Sequence, residues 1–228
     1  GSSWDIFLES VYSAISIYYN PSSEVVYGAI NARSSVRNHN DISASVGSLS
    51  GPVHVVLVVE YGNFAKLYVN GDLAATESLA GWSESYYTAS EYSFAGAAVV
   101  GGRTSVYLYD NTTTGVTGPF AVYSQKLLSD EEVQERYEAL MVGTIPNATG
   151  YVREVLRDRP LYYYRLNDPD LVATEFCTRE SSYRSARWIG GSKEQILLPS
   201  PVVGGNMTAF DGKSAIYTGH MDVSSAHR

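Results

Sequence analysis

The sequence is short of three things, and each shortage closes a class of explanation. It has a single cysteine, Cys177, in 228 residues. No internal disulfide framework is open to it, so stability has to come from a packed core. Beside Phe176 that thiol reads as a small buried residue rather than a nucleophile. Charged side chains make up 18% of the chain, below the quarter or so usual in globular proteins. The charge is also one-sided: a net −8 leaves no basic surplus to neutralise phosphates, which argues against a nucleic-acid partner. The arginines between 153 and 187 are interleaved with acids and read as a solvated surface. The third shortage is of long apolar runs. The longest are strand-length, so membrane insertion by a helix is not expected, and no stretch has the pattern of a signal peptide.

What is present is a 44% hydrophobic content with 19 tyrosines and 20 glycines. Period-two alternation dominates, the signature of half-buried strands. Strands are expected over 14–19 (AISIYY), 24–30 (EVVYGAI), 42–46, 54–61, 65–69, 73–76, 92–100, 105–109 and 120–123. The near-continuous valine and leucine of 54–61 suits a central strand covered on both faces. Asn70-Gly71 is a strong hairpin signal, because a type I′ turn needs positive φ at both central positions. Residues 110–118 read as a Thr- and Gly-rich loop.

One helix is expected. Ser129 and Glu132 have capping-box spacing, Asp130 and Glu131 sit at the positive end of the dipole, and Val133, Tyr137 and Leu140 form one apolar stripe. Residues 143–157 are expected to be a linker. Beyond it, 161–166 (LYYYRL) reads as a strand whose middle ring, Tyr163, points outward. Asp211-Gly212 gives a second hairpin-type turn.

Four segments in order carry a family resemblance: HVVLVVEYG (54–62), KLYVNGDLAA (66–75), AAVVGGR (97–103) and FAVYSQKLLSDEEVQERYEAL (120–140). Together they resemble the laminin G-like, concanavalin A-like lectin/glucanase superfamily. DRPLYYYRLND (158–168) and AFDGKSAIYTG (209–219) resemble the opening of a module of the same kind. The resemblance implies an all-β fold, an antiparallel β-sandwich (jelly roll) with one short C-terminal helix in the first module. It divides the chain into 1–142, a module lacking its first strands, a linker at 143–157, and 158–228, the opening of a second module or the strands that complete the first.

Tandem modules with this opening are typical of bacteriophage tail and fibre proteins and of bacterial surface proteins. The implied role is therefore a non-catalytic adhesion or structural module of a virion tail or extracellular surface fibre. Its expected partner is a host-surface glycan or a neighbouring virion or surface protein, with homo-oligomer formation open. The alternatives are a carbohydrate-binding module of an extracellular glycoside hydrolase and a degenerate glucanase.

Catalysis finds little footing in the residues. The carboxylate pair of a retaining glycosidase has no counterpart on one strand, and the four histidines lack metal-ligand spacing. Residues 81–91 (GWSESYYTASE) are the best binding candidate: Trp82, Tyr86 and Tyr87 offer stacking faces and Glu84 a hydrogen-bond acceptor. Calcium, which some related modules hold at the sandwich rim, has weak candidates in Asp72, Asp110 and Asn111. Two departures lower that expectation: Gly118-Pro119 stands where an acid often precedes the last strand, and Asn70 replaces the hairpin aspartate. No cofactor is otherwise expected.

Overall fold

The computed structural model describes residues 5–10, 15–31, 39–48, 51–60, 62–80, 98–100, 114–117, 120–123, 126–141, 149–158, 160, 162–164, 172–173, 186–190, 196–199, 206–211 and 214–217. Its strands in chain order are β1 (Asp5–Ser10), β2 (Ile15–Asn20), β3 (Val25–Asn31), β4 (His39–Ser45), β5 (Val55–Glu60), β6 (Phe64–Val69), β7 (Asp72–Ser78), β8 (Ala98–Val100), β9 (Thr114–Thr117) and β10 (Phe120–Val122). Two helices follow, α1 (Asp130–Met141) and α2 (Thr149–Arg157). The remaining strands are β11 (Tyr162–Tyr164), β12 (Val172–Ala173), β13 (Ala186–Gly190), β14 (Ile196–Pro199), β15 (Asn206–Asp211) and β16 (Ser214–Tyr217). Among the described residues every strand pairing is antiparallel. The chain is thus mostly antiparallel β-structure with two short helices.

Local chemistry explains the turns. At the β2–β3 hairpin the Asn20 carboxamide oxygen accepts from the amides of Ser22 (2.9 Å) and Ser23 (3.3 Å), an Asx turn. Glu24 then takes φ 55° to bring the chain back. The β6–β7 turn has Asn70 at φ 54° and Gly71 at φ 89°, the two positive values that the Asn-Gly pair predicts.

The strands β2–β3–β4 and β5–β6–β7 form two layers that meet through alternate residues. Tyr19, Val26 and Ile42 from the first pack with Ala65 and Leu67 from the second, joined by Leu79, all 6% exposed or less. Gly28 belongs to this face. A Cβ built on it would lie 2.8 Å from Leu57 Cδ1 and 3.1 Å from Ile42 Cγ2, so a strand-interior glycine is what lets Leu57 approach. On its other side the second layer carries Val58 and Tyr68, which pack with Leu128 and Val133 at the start of α1. This accounts for the apolar run in β5: Val55, Leu57 and Val59 face one cluster, Val56 and Val58 the other. Its expected central position is not observed. Among the described residues β5 pairs with β6 alone, and the middle strand is β6.

Several expectations need correction. Residues 149–157, expected to be linker, are helical. Tyr151, Val152, Val155 and Leu156 give an apolar face that packs on Leu140 and Ala139 of α1 and on Tyr163. Residues 114–117, expected to be loop, form β9, because β15 supplies a pairing partner from far along the chain. Tyr163 is 1% exposed, the reverse of the expected outward ring, because the Ala121↔Tyr163 side of the β10–β11 pair looks onto the helices. Asp211-Gly212 does not join a paired hairpin. β15 sits between β14 and β9, whereas β16 sits between β13 and β8.

The late strands are therefore interleaved with the early ones. One sheet has the order β12-β13-β16-β8-β1-β2-β3-β4, a second β14-β15-β9, and a third β10-β11.

Candidate functional site

The sequence-predicted loop with Trp82, Glu84, Tyr86 and Tyr87 lies outside the described residues, as do Asp110, Asn111 and Cys177. Of the calcium candidates only Asp72 is described. It opens β7 with an exposed side chain. Among the described residues no group of three or more His, Cys, Asp or Glu side chains is placed to hold a metal ion, so Asp72 stands without co-ligands there.

The described surface does present one aromatic feature. Tyr18 and Tyr27 are register partners on β2 and β3. Their neighbours Tyr19 and Val26 point into the core, so these two rings stand on the opposite face. The rings are stacked, with centroids 5.0 Å apart and planes within 7°. The next strand places Ser43 opposite Tyr27 and Ser45 opposite Val25, both serines exposed. The outer face of β2–β4 thus carries half-buried aromatic surface beside free hydroxyl-bearing residues. The signal was legible: YY before the NPSS turn and VVY after it put Tyr18 and Tyr27 on one face by alternation. The family resemblance begins only at His54 and does not include these residues.

The second concentration of chemistry is where α1 meets the hairpin and α2. The predicted capping box is formed: Glu132 N–H donates to Ser129 Oγ (3.2 Å) and Ser129 N–H to Glu132 Oε2 (2.8 Å). Asp130 accepts from Tyr68 Oη (2.6 Å) and Lys66 Nζ (2.8 Å), tying the helix start to β6. Hydrogen bonds from Lys66 and then Tyr68 hold its carboxyl below the usual range. Glu132 is likewise held down, chiefly by its bond from Lys126.

Arg136, 2% exposed, was missed by the sequence reading because a charged residue does not register in an apolar stripe. Its guanidinium donates to the Glu132 carbonyl (2.6 Å) and to the Asp158 carboxylate, and lies 5.5 Å from the Tyr123 ring centre. Asp158 opens the DRPLYYYRL motif. The motif's Asp158, Pro160 and Tyr163 are all turned toward protein rather than solvent. Each carboxylate of this network has a cation beside it: Lys126 with Glu132 and Asp158, Arg157 with Glu135 and Glu154. The arrangement joins elements.

No protein-family model matches the chain, and neither does any curated protein. One solved structure is similar: an S-layer domain-containing protein (residues 221–444) from Clostridium thermocellum, 16% identical, with a TM-score of 0.28. The match covers 60% of this chain and 64% of that one. A likeness at that level carries no argument about function.

Proposed function

We propose that the chain is a non-catalytic β-sandwich module of concanavalin A-like type, built into a virion tail or cell-surface fibre. It serves adhesion by binding a surface glycan. The observation that carries this reading is the outer face of β2–β4, where the stacked Tyr18–Tyr27 pair lies beside Ser43 and Ser45. Sugars are bound by aromatic surface meeting their C–H faces, with hydroxyl partners fixing orientation. The low charge and tyrosine-rich composition favour a neutral polysaccharide over an anionic one. The loop with Trp82, Tyr86 and Tyr87 provides a second aromatic surface in this reading.

In the same reading residues 158–228 complete the first module rather than open a second. Among the described residues β9 and β10 have no partners except β15 and β11, and Asp158 and Tyr163 are anchored on the helices.

The test is a glycan array probed with the full chain, followed by titration calorimetry on any hit. Wild type is expected to bind a neutral glycan. Tyr18→Ala with Tyr27→Ala is expected to weaken binding tenfold or more, and Trp82→Ala to weaken it separately. A wild-type chain that binds no glycan, or an array hit indifferent to all three substitutions, would end the proposal. Turnover of a bound glycan would show an enzyme instead.

A further inference from the structure

His54 stands at a joint among three elements. Its amide donates to the Asn70 side-chain oxygen (3.0 Å), and its carbonyl accepts from the Asn70 amide (2.8 Å). The β6–β7 turn is thereby fixed to the chain just before β5. The other side of that turn rests on α1. A Cβ on Gly71 would lie 2.9 Å from Tyr137 Cδ1 and would overlap Gln134. The His54 ring completes the contact, with its centre 6.2 Å from that of Tyr137 and the planes 28° apart. His54 Nδ1 is sealed from solvent and has no hydrogen-bond partner.

The charges around the ring are unfavourable to a proton. From α1 it meets the uncharged Tyr137 ring and feels the charge of Arg136, a buried guanidinium already committed to Asp158. From the hairpin it meets Asn70 and Gly71, and the hairpin's first acid, Asp72, is exposed. A protonated imidazole here is a second cation beside Arg136, its Nδ1 sealed from water, and among the described residues no carboxylate bonds to it.

We propose that His54 is an acid-responsive latch: neutral, it holds α1 on the hairpin turn, and protonated, it releases the helix. The release reaches further, because α1 is joined to α2 and β11 through Leu140, Tyr151, Val155 and Tyr163 and through the Arg136–Asp158 pair. The elements that lead into the last third of the chain are thus freed from the second layer.

Burial, and secondarily Arg136, push the pKa of His54 down from 6.5 to about 4. The latch is closed at neutral and mildly acid pH. Taking the exposed value of 6.5 for the open form, linkage raises the opening constant about a hundredfold between pH 7 and pH 4.

The experiment is an NMR titration of the histidine Cε1–H signals in the full chain, with amide exchange of α1 and β6 followed over pH 7 to 4 and corrected for intrinsic rates. His54 is expected to remain neutral to below pH 5. Exchange protection of α1 is expected to fall by about the linkage factor while β6 keeps its own. His54→Gln and His54→Phe remove the titrating group and are expected to abolish that pH dependence. Asp130 and Glu132 also loosen α1 in acid, and the wild-type-minus-variant difference removes their share. Titration of His54 near 6.5, or parallel loss of α1 protection in wild type and variants, would overturn the latch. If neither variant folds, the wild-type titration and the comparison of α1 with β6 decide alone.

Discussion

Gly28 offers a direct test of how the two layers meet. In a strand interior an alanine is ordinarily better than glycine: it removes freedom from the unfolded chain and stabilises by about 0.4–1 kcal/mol where the backbone tolerates it. Gly28 lies in β3 and its φ is not in the left-handed region, so its backbone raises no objection to Ala. The objection comes from across the layer gap. The new methyl would sit 2.8 Å and 3.1 Å from the two terminal carbons of Leu57, and 3.1 Å from Ile42 Cγ2. Overpacking of this kind costs about 1–3 kcal/mol. Leu57 is only partly buried and its end can turn aside, so the lower half of that range applies.

The expected outcome for Gly28→Ala, the strain less the ordinary gain, is a net loss of up to about 1.5 kcal/mol. For a chain of this size that is a fall of up to about 6 °C in Tm. Urea denaturation at pH 7 measures it. The decisive comparison is the cycle with Leu57→Ala. Removing the two methyls opens the space, so in that background Gly28→Ala should be neutral or stabilising, with a coupling of about 1–2 kcal/mol. A Gly28→Ala chain more stable than wild type, or one whose effect is the same with and without Leu57, would refute the face-to-face packing of β3 on β5.

Three further outcomes follow from the helix junction. Arg136→Ala leaves Asp158 with its main partner gone in a site it shares with the buried guanidinium, and a loss of about 3–5 kcal/mol in urea unfolding is expected. Arg136→Met with Asp158→Asn should recover much of it. Gly71→Ala meets both the φ of 89° and the wall formed by Gln134 and Tyr137, and should cost about 1–3 kcal/mol, with raised amide exchange in α1 as its local mark. Glu132 has a folded-state pKa below its ordinary 4.5, chiefly because Lys126 donates to it. Its contribution is present above that ordinary value and is lost as pH falls through the folded one. The urea midpoint should therefore drop on going below pH 4.5, and Lys126→Met should flatten that part of the curve.

The sequence by itself determined the local grammar. Alternation set β2 to β7 to within a residue or two, except that β4 begins three residues earlier than expected; β1 (Asp5–Ser10) was not among the expected strands. The Asn70-Gly71 pair specified its turn, and the Ser129–Glu132 spacing specified the capped start of α1. Each is decided by neighbours within a few residues, where one backbone geometry satisfies the side chains at hand.

Only the tertiary structure decided what those elements were for. Thr114–Thr117 becomes a strand because β15 arrives beside it, and Tyr163 turns inward because two helices cover that side. Residues 149–157 become a helix because α1 and β11 bury its apolar face, although Thr149 and Gly150 at its start are weak helix formers. Arg136 is buried because Asp158 lies 22 residues on and folds back to meet it. The candidate surface divides the same way. That Tyr18 and Tyr27 share a face follows from period two, but that they stack across β2 and β3, with Ser43 beside them, depends on a register that only the assembled sheet fixes.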